Sequence, residues 1–215
     1  MPNPSISDIR TEYKKAALSE NEVATDPFDQ FHQWLDEVLH SEVMEPNAMT
    51  LATAGKDGRP SARIVLLKGV DERGFYFYTN YESRKGQQLH QNPHAALVFF
   101  WKELERQVRI EGKVFKATAA QSDAYFLSRP EGSQLGAWTS PQSRIISSRA
   151  ILEERMTAVR ERFDKEHLTR PDFWGGYCLA PERVEFWQGR PNRLHDRILF
   201  TPNTSGGWEI NRLAP

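Results

Sequence analysis

The spacing of hydrophobic residues first predicts a helix near the amino terminus. Asp26 is a natural N-cap and Pro27 fits the first helical turn, so the helix is expected to begin there and to run to Pro46. The apolar residues at helical spacing, which would cover a core, are Phe28, Phe31, Leu35, Val38 and Leu39. The first twenty residues are polar and predict a loosely held arm with one short helix at residues 7–17.

From residue 48 onward the hydrophobic period becomes that of β-strands. Residues 49–52 and 61–68 flank a Gly-Lys-Asp-Gly turn and predict a β-hairpin. Within residues 106–116, polar positions alternate with Val108, Ile110 and Val114, which is typical of a strand buried on one face. The full set of further strand-like segments is residues 73–79, 95–101, 106–116, 183–187, 193–200 and 208–213.

Three more helices are expected between these strands. One opens near Ser83 and closes at Pro93, and another covers residues 118–128. The third carries an apolar stripe formed by Leu152, Met156, Val159 and Phe163. Between the last two, residues 132–148 are rich in Gly, Ser and Pro, so we expect a long loop there with a binding role.

The order of these elements predicts a mainly β fold with flanking α-helices. About seven strands joined by hairpins favour a largely antiparallel sheet, closing as a barrel with the helices packed outside. A chain of 215 residues and 24.8 kDa corresponds to one domain. We therefore expect a single domain at residues 21–215 and a mobile arm at residues 1–20.

Composition excludes several classes of protein. Hydrophobic residues are 39% and charged residues 27% of the chain, as in an ordinary globular protein rather than a disordered or fibrous one. The single cysteine, Cys178, excludes an internal disulfide or a multi-thiolate metal site and suits a reducing compartment, so a cytoplasmic location is expected. The longest apolar run, residues 95–101, is far shorter than the roughly 20 residues that span a bilayer. Neither a membrane span nor a secretion signal is expected.

Charge is nearly balanced overall but unevenly distributed. The net charge is −1, yet the first fifty residues hold three Lys or Arg against ten Asp or Glu, a net of −7, which leaves +6 for the remainder. No overall basic footprint for nucleic acid is present.

Three basic or potentially basic residues alternate near the carboxyl end. Arg193, His195 and Arg197 would share one face of the strand predicted there. Two interpretations remain open: a strand face with cross-strand carboxylate partners, or a site for an anion such as a phosphate. Repulsion between like charges on one face favours the anion.

A second basic cluster stands at the predicted start of a helix. Ser83, Arg84 and Lys85 would add a hydroxyl, a guanidinium and an ammonium to the free N–H groups of that turn, forming a phosphate cradle. The alternative is an exposed basic first turn, which the helix dipole disfavours. Arg63 and Lys68 lie nearby but five positions apart, and would face opposite sides of a regular strand.

A third set is built from residues that donate to phosphate oxygens. Tyr125 and Arg129 lie one helical turn apart, and Ser133 follows after Pro130. Two separate cradles indicate two phosphorylated ligands held side by side. One of them could be a cofactor that brings its own redox chemistry.

Other kinds of chemistry find little support. The chain has no Walker loop, G-x-G-x-x-G fingerprint, nucleophile elbow or close acidic pair. His90 and His94 have the spacing of a metal pair, but Pro93 lies between them and no third ligand is evident, so we expect no metal site.

At the carboxyl end a contiguous pattern carries a family resemblance. Residues 184–188 (VEFWQ) are followed by residues 193–197 (RLHDR), and the two together resemble the signature of the pyridoxine/pyridoxamine 5′-phosphate oxidase family. Further segments resemble that family in order and spacing: residues 63–68 (RIVLLK), 78–80 (YTN), 83–86 (SRKG), 125–130 (YFLSRP), 142–143 (QS) and 212–215 (RLAP).

The resemblance implies a homodimeric split β-barrel that binds FMN at the subunit interface. It implies oxidation of pyridoxamine or pyridoxine 5′-phosphate to pyridoxal 5′-phosphate, with O2 as acceptor and H2O2 released, together with ammonia from the amine. Two rivals remain: a flavin reductase on the same barrel, and a carrier of flavin or pyridoxal phosphate without turnover. From the charge distribution and the short apolar runs, we expect no nucleic acid or membrane partner.

The resemblance also assigns residues. The cofactor-binding set comprises Arg63, Ile64, Val65, Leu66, Leu67, Lys68, Tyr78, Thr79, Ser83, Arg84, Lys85, Gln107, Gln142, Ser143, Trp187 and Arg197. The substrate phosphate would be met by Lys68, Tyr125, Arg129 and Ser133. Arg193 and His195 would frame the pyridine ring as the catalytic pair, with Arg193 fixing the approach of the substrate. Arg10 and Tyr13 resemble a lid segment over the substrate.

Overall fold

The structure is a computed structural model that describes residues 5–8 and 12–215. Its helices are α1 (Pro27–Leu39), α2 (Arg84–Gln91), α3 (Ala119–Ser128), α4 (Glu131–Thr139) and α5 (Ala150–Phe163). Its strands are β1 (Ala48–Ala54), β2 (Pro60–Leu66), β3 (Gly69–Asp71), β4 (Gly74–Asn80), β5 (His94–Trp101), β6 (Arg106–Lys116), β7 (Trp174–Gln188), β8 (Asp196–Pro202) and β9 (Trp208–Arg212). Short 3-10 turns cover Ile6–Asp8, Lys102–Leu104 and Pro191–Arg193.

The strands are hydrogen-bonded in the order β2-β1-β5-β6-β7-β4-β3, with β8 paired to β7 and β9 to β8. The β3–β4, β4–β7, β7–β8 and β8–β9 pairs are all antiparallel, as the sequence predicts. Residue contacts divide the chain into two compact units. The first unit is Met1–Met49, Leu97–Ile110 and Glu182–Pro215; the second is Thr50–Ala96 and Glu111–Pro181.

In the first unit, α1 begins as predicted. The Asp26 carboxylate accepts from the Phe28 N–H at 2.7 Å, with Pro27 in the first turn. The helix ends at Leu39 rather than at Pro46, and the Leu39 side chain is 60% exposed. Trp34, which the pattern did not include, is buried and meets Phe186 edge-on at 5.2 Å between ring centroids.

In the second unit, two predicted helix starts are confirmed by their caps. Ser83 caps α2, because its Oγ accepts from the Gly86 N–H and donates to the Asn80 carbonyl. Thr118 and Gln121 form a capping box at the start of α3. Gly86 leaves the space for this tight turn, since a Cβ there would lie 2.1 Å from the Tyr81 carbonyl oxygen.

Two predictions near loops are wrong. Residues 12–19 contain no helix, so the helix expected at residues 7–17 does not extend over its second half; the described residues before that segment hold the short turn at Ile6–Asp8. The loop expected at residues 132–148 begins instead with α4. In α4, Leu135 and Gln134 are buried, and the Gln134 Nε2 donates to the Arg129 carbonyl at 2.8 Å, so tertiary contacts override the glycine-rich composition.

The strand predicted at residues 193–200 starts only at Asp196. Asn192 and Arg193 have φ of 57° and 62°, left-handed values that belong to a turn rather than a strand. Arg193, His195 and Arg197 therefore do not alternate along one strand, which corrects that part of the sequence argument. The strand predicted at residues 183–187 is the end of the longer β7, and the sheet has nine strands rather than about seven.

Candidate functional site

A cavity of about 300 Å³ opens within the second unit. It gathers side chains from β2 and β4, from the start of α2, from the end of α3 and from the loop after α4. Its lining residues are Ile64, Val65, Leu66, Lys68, Tyr78, Thr79, Lys85, Tyr125, Arg129, Gln142 and Trp174. All of these except Trp174 belong to the set predicted from the sequence.

Stacked aromatic rings form one wall of this cavity. Tyr78 stacks on Tyr125 at 3.9 Å between centroids, and Trp174 lies nearly parallel to Tyr125 at 6.2 Å. Gly176 pairs with Tyr78 across β4 and β7 and leaves room for it, since a Cβ at Gly176 would lie 2.8 Å from the Tyr78 ring. The wall is a flat apolar surface suited to a planar ring.

Arg129 brings an unsatisfied cation to this wall. Its guanidinium lies over Trp174, with Cζ 4.6 Å from the ring centroid. Its Nη1 atom is buried and has no hydrogen-bond partner among the described residues. Burial lowers the pKa of Arg129, while Tyr125 acts in the opposite direction. A buried donor without a partner fits an anion that the chain itself does not supply.

A second, smaller cavity of about 250 Å³ shares Arg129 with the first. It is also lined by Ser133 and Asn80. Ser133 was predicted as a phosphate ligand, and the structure brings it to the same cavity as Arg129. Asn80 and Trp174 were missed, although Asn80 directly follows the predicted Tyr78 and Thr79.

A group of cations lies at the start of α2 and on β2. Arg63 donates to the Thr53 hydroxyl, the Ser61 hydroxyl and the Leu51 carbonyl, all neutral acceptors. Lys85 Nζ donates to Thr79 Oγ1 at 3.0 Å and to Gln142 Oε1 at 2.9 Å. Within the described part of the chain, no ion pair joins Arg63, Arg84 or Lys85 to a carboxylate.

Burial, together with mutual repulsion, lowers the pKa of two cations in this group. Burial, followed by the charge of Arg63, lowers the pKa of Lys85 to about 8. Burial, followed by the charge of Arg84, lowers the pKa of Arg63. These shifts mark a site where positive charge is collected without internal compensation, which a dianion would relieve.

Five predicted cofactor residues of the second unit do not line the cavity: Arg63, Leu67, Ser83, Arg84 and Ser143. Arg63 binds the neutral acceptors described above, and Arg84 is exposed at the first position of α2. Leu67 is buried in the core, and Ser83 is occupied as the cap of α2. Ser143 is exposed, with φ of 69°, directly after the cavity residue Gln142.

The first unit holds a separate cluster around His195. The His195 ring lies 4.6 Å from the Trp187 ring and 5.9 Å from the Tyr13 ring between centroids. The Arg190 N–H donates to His195 Nδ1 at 3.1 Å, which puts the proton of the neutral imidazole on Nε2. Burial and the charge of Arg193 lower the pKa of His195, against the effect of Asp196.

Arg197 is paired internally. It donates to both carboxylate oxygens of the buried Glu185, at 2.8 and 3.0 Å, and to the Ala214 carbonyl at 2.7 Å. Arg109 also reaches Glu185, at 2.9 Å. For Arg197, therefore, the cross-strand carboxylate is the interpretation that the structure supports.

The remaining predicted residues are less informative. Gln107 is half-buried on β6, and Arg193 is exposed in its left-handed turn. Arg10 lies outside the described residues. No helix among the described residues is long and apolar enough to cross a membrane.

Two family models match different parts of the chain. One described as Pyridoxamine 5′-phosphate oxidase matches residues 35–163, and one described as Pyridoxine 5′-phosphate oxidase C-terminal dimerisation region matches residues 174–215. A curated relative from Salinibacter ruber, named pyridoxine/pyridoxamine 5′-phosphate oxidase, is 59% identical over 98% of this chain and 99% of its own. A relative of the same name from Burkholderia lata is also 59% identical, with the same coverage.

Solved structures agree with this relationship. PhzG from Burkholderia lata 383, solved in complex with tetrahydrophenazine-1-carboxylic acid, has a TM-score of 0.84 and 29% identity over 91% of this chain and 95% of its own. A pyridoxamine 5′-phosphate oxidase-related, FMN binding protein from Nostoc punctiforme shares the fold, with a TM-score of 0.69 and 19% identity over 90% of this chain and 100% of its own. The predicted fold class, a mainly antiparallel split β-barrel with flanking helices, is confirmed. The matched regions and the full-length relatives show that the chain belongs to the pyridoxamine 5′-phosphate oxidase family.

Proposed function

We propose that the chain is an FMN-dependent oxidase of vitamin B6 phosphates. Pyridoxamine 5′-phosphate, O2 and water would give pyridoxal 5′-phosphate, ammonia and H2O2; pyridoxine 5′-phosphate and O2 would give the same aldehyde and H2O2. The observation that carries the proposal is one aromatic cavity lined both by the uncompensated Lys85 and by the unpartnered Arg129.

The cation group at the start of α2 fits the phosphate of FMN. Arg63, Arg84 and Lys85 would hold its charge, because none of them is paired with a carboxylate among the described residues. Thr79 and Gln142 already orient the Lys85 ammonium. When bound, FMN supplies the acceptor for the two electrons that leave the substrate and later reach O2.

The substrate phosphate would be bound by Lys68, Tyr125, Arg129 and Ser133. The buried Arg129 Nη1 supports this assignment, since the donor has no partner within the described chain. Arg193 and His195 would frame the pyridine ring. The neutral His195 presents its Nε2 proton as a donor, while Arg193 orients the ring and favours developing negative charge.

We further propose that two copies of the chain form the active enzyme, with FMN at their interface. The match of residues 174–215 to a C-terminal dimerisation region supports this. Gln107, Trp187 and Arg197 of the first unit would then complete the flavin site. We keep the single barrel domain at residues 21–215, the arm at residues 1–20 and a cytoplasmic location as parts of the same proposal.

Turnover by the purified protein tests the proposal. We expect a yellow protein that releases one H2O2 per pyridoxal 5′-phosphate formed when pyridoxamine 5′-phosphate and air are supplied. Flavin binding without turnover would favour a carrier instead. Oxidation of a nicotinamide donor with free flavin, and none of the amine, would favour a reductase.

Flavin affinity should depend on pH through Lys85. In the free protein the Lys85 ammonium loses its proton around pH 8, and the phosphate dianion binds the protonated form better. Since the second ionisation of a phosphate is complete by about pH 7, the FMN dissociation constant should rise roughly tenfold between pH 7 and pH 9. Titration of the apoprotein with FMN at each pH, followed by flavin fluorescence, measures this dissociation constant. Lys85→Arg should remove most of this dependence, and an unchanged slope in that variant would contradict the assignment.

A further inference from the structure

Tyr13, next to His195 and Trp187, is held by a chain segment without regular secondary structure. Its ring meets Trp187 edge-on, with centroids 5.7 Å apart and an interplanar angle of 89°. Residues 12–19 contain no helix or strand, so hydrogen bonds within the segment do not fix the position of this ring. The contacts that fix it must come from elsewhere in the first unit.

Glu105 binds the two backbone amides that directly follow Tyr13. Its carboxylate Oε2 accepts from the backbone N–H of Lys14 at 2.9 Å and from that of Lys15 at 3.0 Å. One charged oxygen thus satisfies two consecutive amides directly after Tyr13. Hydrogen bonds to a charged group are the stronger kind, and here the acceptor side chain is 6% exposed.

The backbone of Glu105 is itself unusual and well held. Its φ is 54°, a left-handed value in which Gly or Asn is the ordinary residue. Its carbonyl accepts from the Gly189 N–H at 2.7 Å. The side chain of Glu105 thus holds residues 14 and 15, while its backbone carbonyl holds residue 189.

Gly189 completes the arrangement by leaving space. A Cβ at this position would lie 2.7 Å from the Tyr13 Cγ, 2.8 Å from the Tyr13 Cβ and 3.0 Å from the Glu105 Cβ. Because the φ of Gly189 is not left-handed, the close approach of Tyr13, rather than backbone conformation, is what requires glycine here.

We propose that Glu105 and Gly189 form a socket that positions Tyr13 against Trp187 and His195. Glu105 and Gly189 are then positioning residues for the substrate side of the site. The kinetic part of this inference rests on the proposed oxidase function. The structural part, the tether of residues 14 and 15 by Glu105, does not.

Proteolysis tests the tether without any turnover. Trypsin cuts after lysine, so loss of the tether in Glu105→Ala should speed cleavage at Lys14 and Lys15 about tenfold or more. Mass spectrometry of the FMN-loaded protein during digestion measures the cleavage rate. Glu105→Gln keeps one accepting oxygen, so its cleavage rate should lie between those of the unaltered protein and Glu105→Ala. Glu103→Gln, which removes an exposed carboxylate two residues away, should cleave like the unaltered protein. An unaltered cleavage rate in Glu105→Ala would overturn the tether.

Kinetics test the positioning role. Glu105→Ala and Gly189→Ala should each raise KM for pyridoxamine 5′-phosphate several-fold while FMN content stays constant, and Glu105→Gln should recover part of the loss. In a Tyr13→Gly background, which removes both the ring and the Cβ that a Gly189 Cβ would meet, Gly189→Ala should have a much smaller further effect than it has in the unaltered protein. Additive effects of the Tyr13 and Gly189 substitutions on KM would overturn the socket. This comparison does not use Glu105→Ala, so it decides the question even if that variant fails to fold. If the unaltered protein oxidises no B6 phosphate, the oxidase proposal fails, while the proteolysis result still decides the tether.

Discussion

Replacing Arg84 and Lys85 together with alanine is expected to strip the purified protein of its flavin. Hydrogen bonds to charged groups contribute about 1.5 to 3 kcal/mol each, so the loss of both cations should weaken FMN binding by on the order of 10²- to 10⁴-fold. Arg63 would remain, but three of its five N–H donors already serve the Leu51 carbonyl and the hydroxyls of Thr53 and Ser61, so it cannot replace both lost cations.

Flavin absorbance after exhaustive dialysis, and titration of the apoprotein with FMN, measure this loss. The matched control is Lys56→Ala with Arg155→Ala, which removes the same two charges from exposed positions that line neither cavity. The control should keep its flavin. If the Arg84 and Lys85 double variant also keeps a full complement, these residues do not hold the FMN phosphate.

Burial on one face made β6 predictable, whereas β4 is buried on both faces and was predicted from its run of Phe and Tyr at residues 75–78. In β6, buried Val108, Ile110 and Val114 alternate with more exposed polar residues, so a period of two is written in the sequence. The first half of β7 was missed because Trp174 to Leu179 are all buried. A strand covered on both faces has no alternation to detect.

The turn at residues 191–193 misled the sequence argument for a different reason. Arg193, His195 and Arg197 alternate with other residues as a strand would, and only Pro191 and Asn192 indicated a turn. Whether Arg197 meets an anion or a carboxylate depends on its pairing with β7, which brings Glu185 within reach. Strand register is a tertiary property, so the sequence left both interpretations open.

Some residues of the candidate site could likewise be predicted from the sequence, and others depend on tertiary structure. Lys85 was predictable because it follows Ser83 at the predicted start of a helix, and Arg129 because it lies one helical turn after Tyr125. Trp174 was not, since it reaches the cavity only through the pairing of β7 with β4, in which it lies opposite Asn80. The Trp-Gly-Gly-Tyr run at residues 174–177 was the available signal, as small residues within a strand indicate close approach of a neighbour.

Arg129→Met should remove recognition of the substrate phosphate while sparing the flavin. Methionine keeps an apolar stem over Trp174 and fills much of the same volume, so the fold should tolerate it. The loss of a charge-assisted contact should lower kcat/KM for pyridoxamine 5′-phosphate by roughly 10- to 150-fold. The value for pyridoxamine, which has no phosphate, should not change, because Arg129 has nothing to bind in that substrate.

Substitutions at Trp174 test whether Arg129 recognises the phosphate or only packs against the cavity wall. Trp174→Leu should lower the preference for the phosphorylated substrate by a few-fold, since stacking of a guanidinium on an indole contributes about 0.5 to 2 kcal/mol, and Trp174→Phe should restore most of it. In the Arg129→Met background, Trp174→Leu should leave that preference unchanged, because the guanidinium it orients is absent. Equal losses for both substrates in Arg129→Met would instead mean that Arg129 supports the cavity wall, and the phosphate would have to be bound elsewhere.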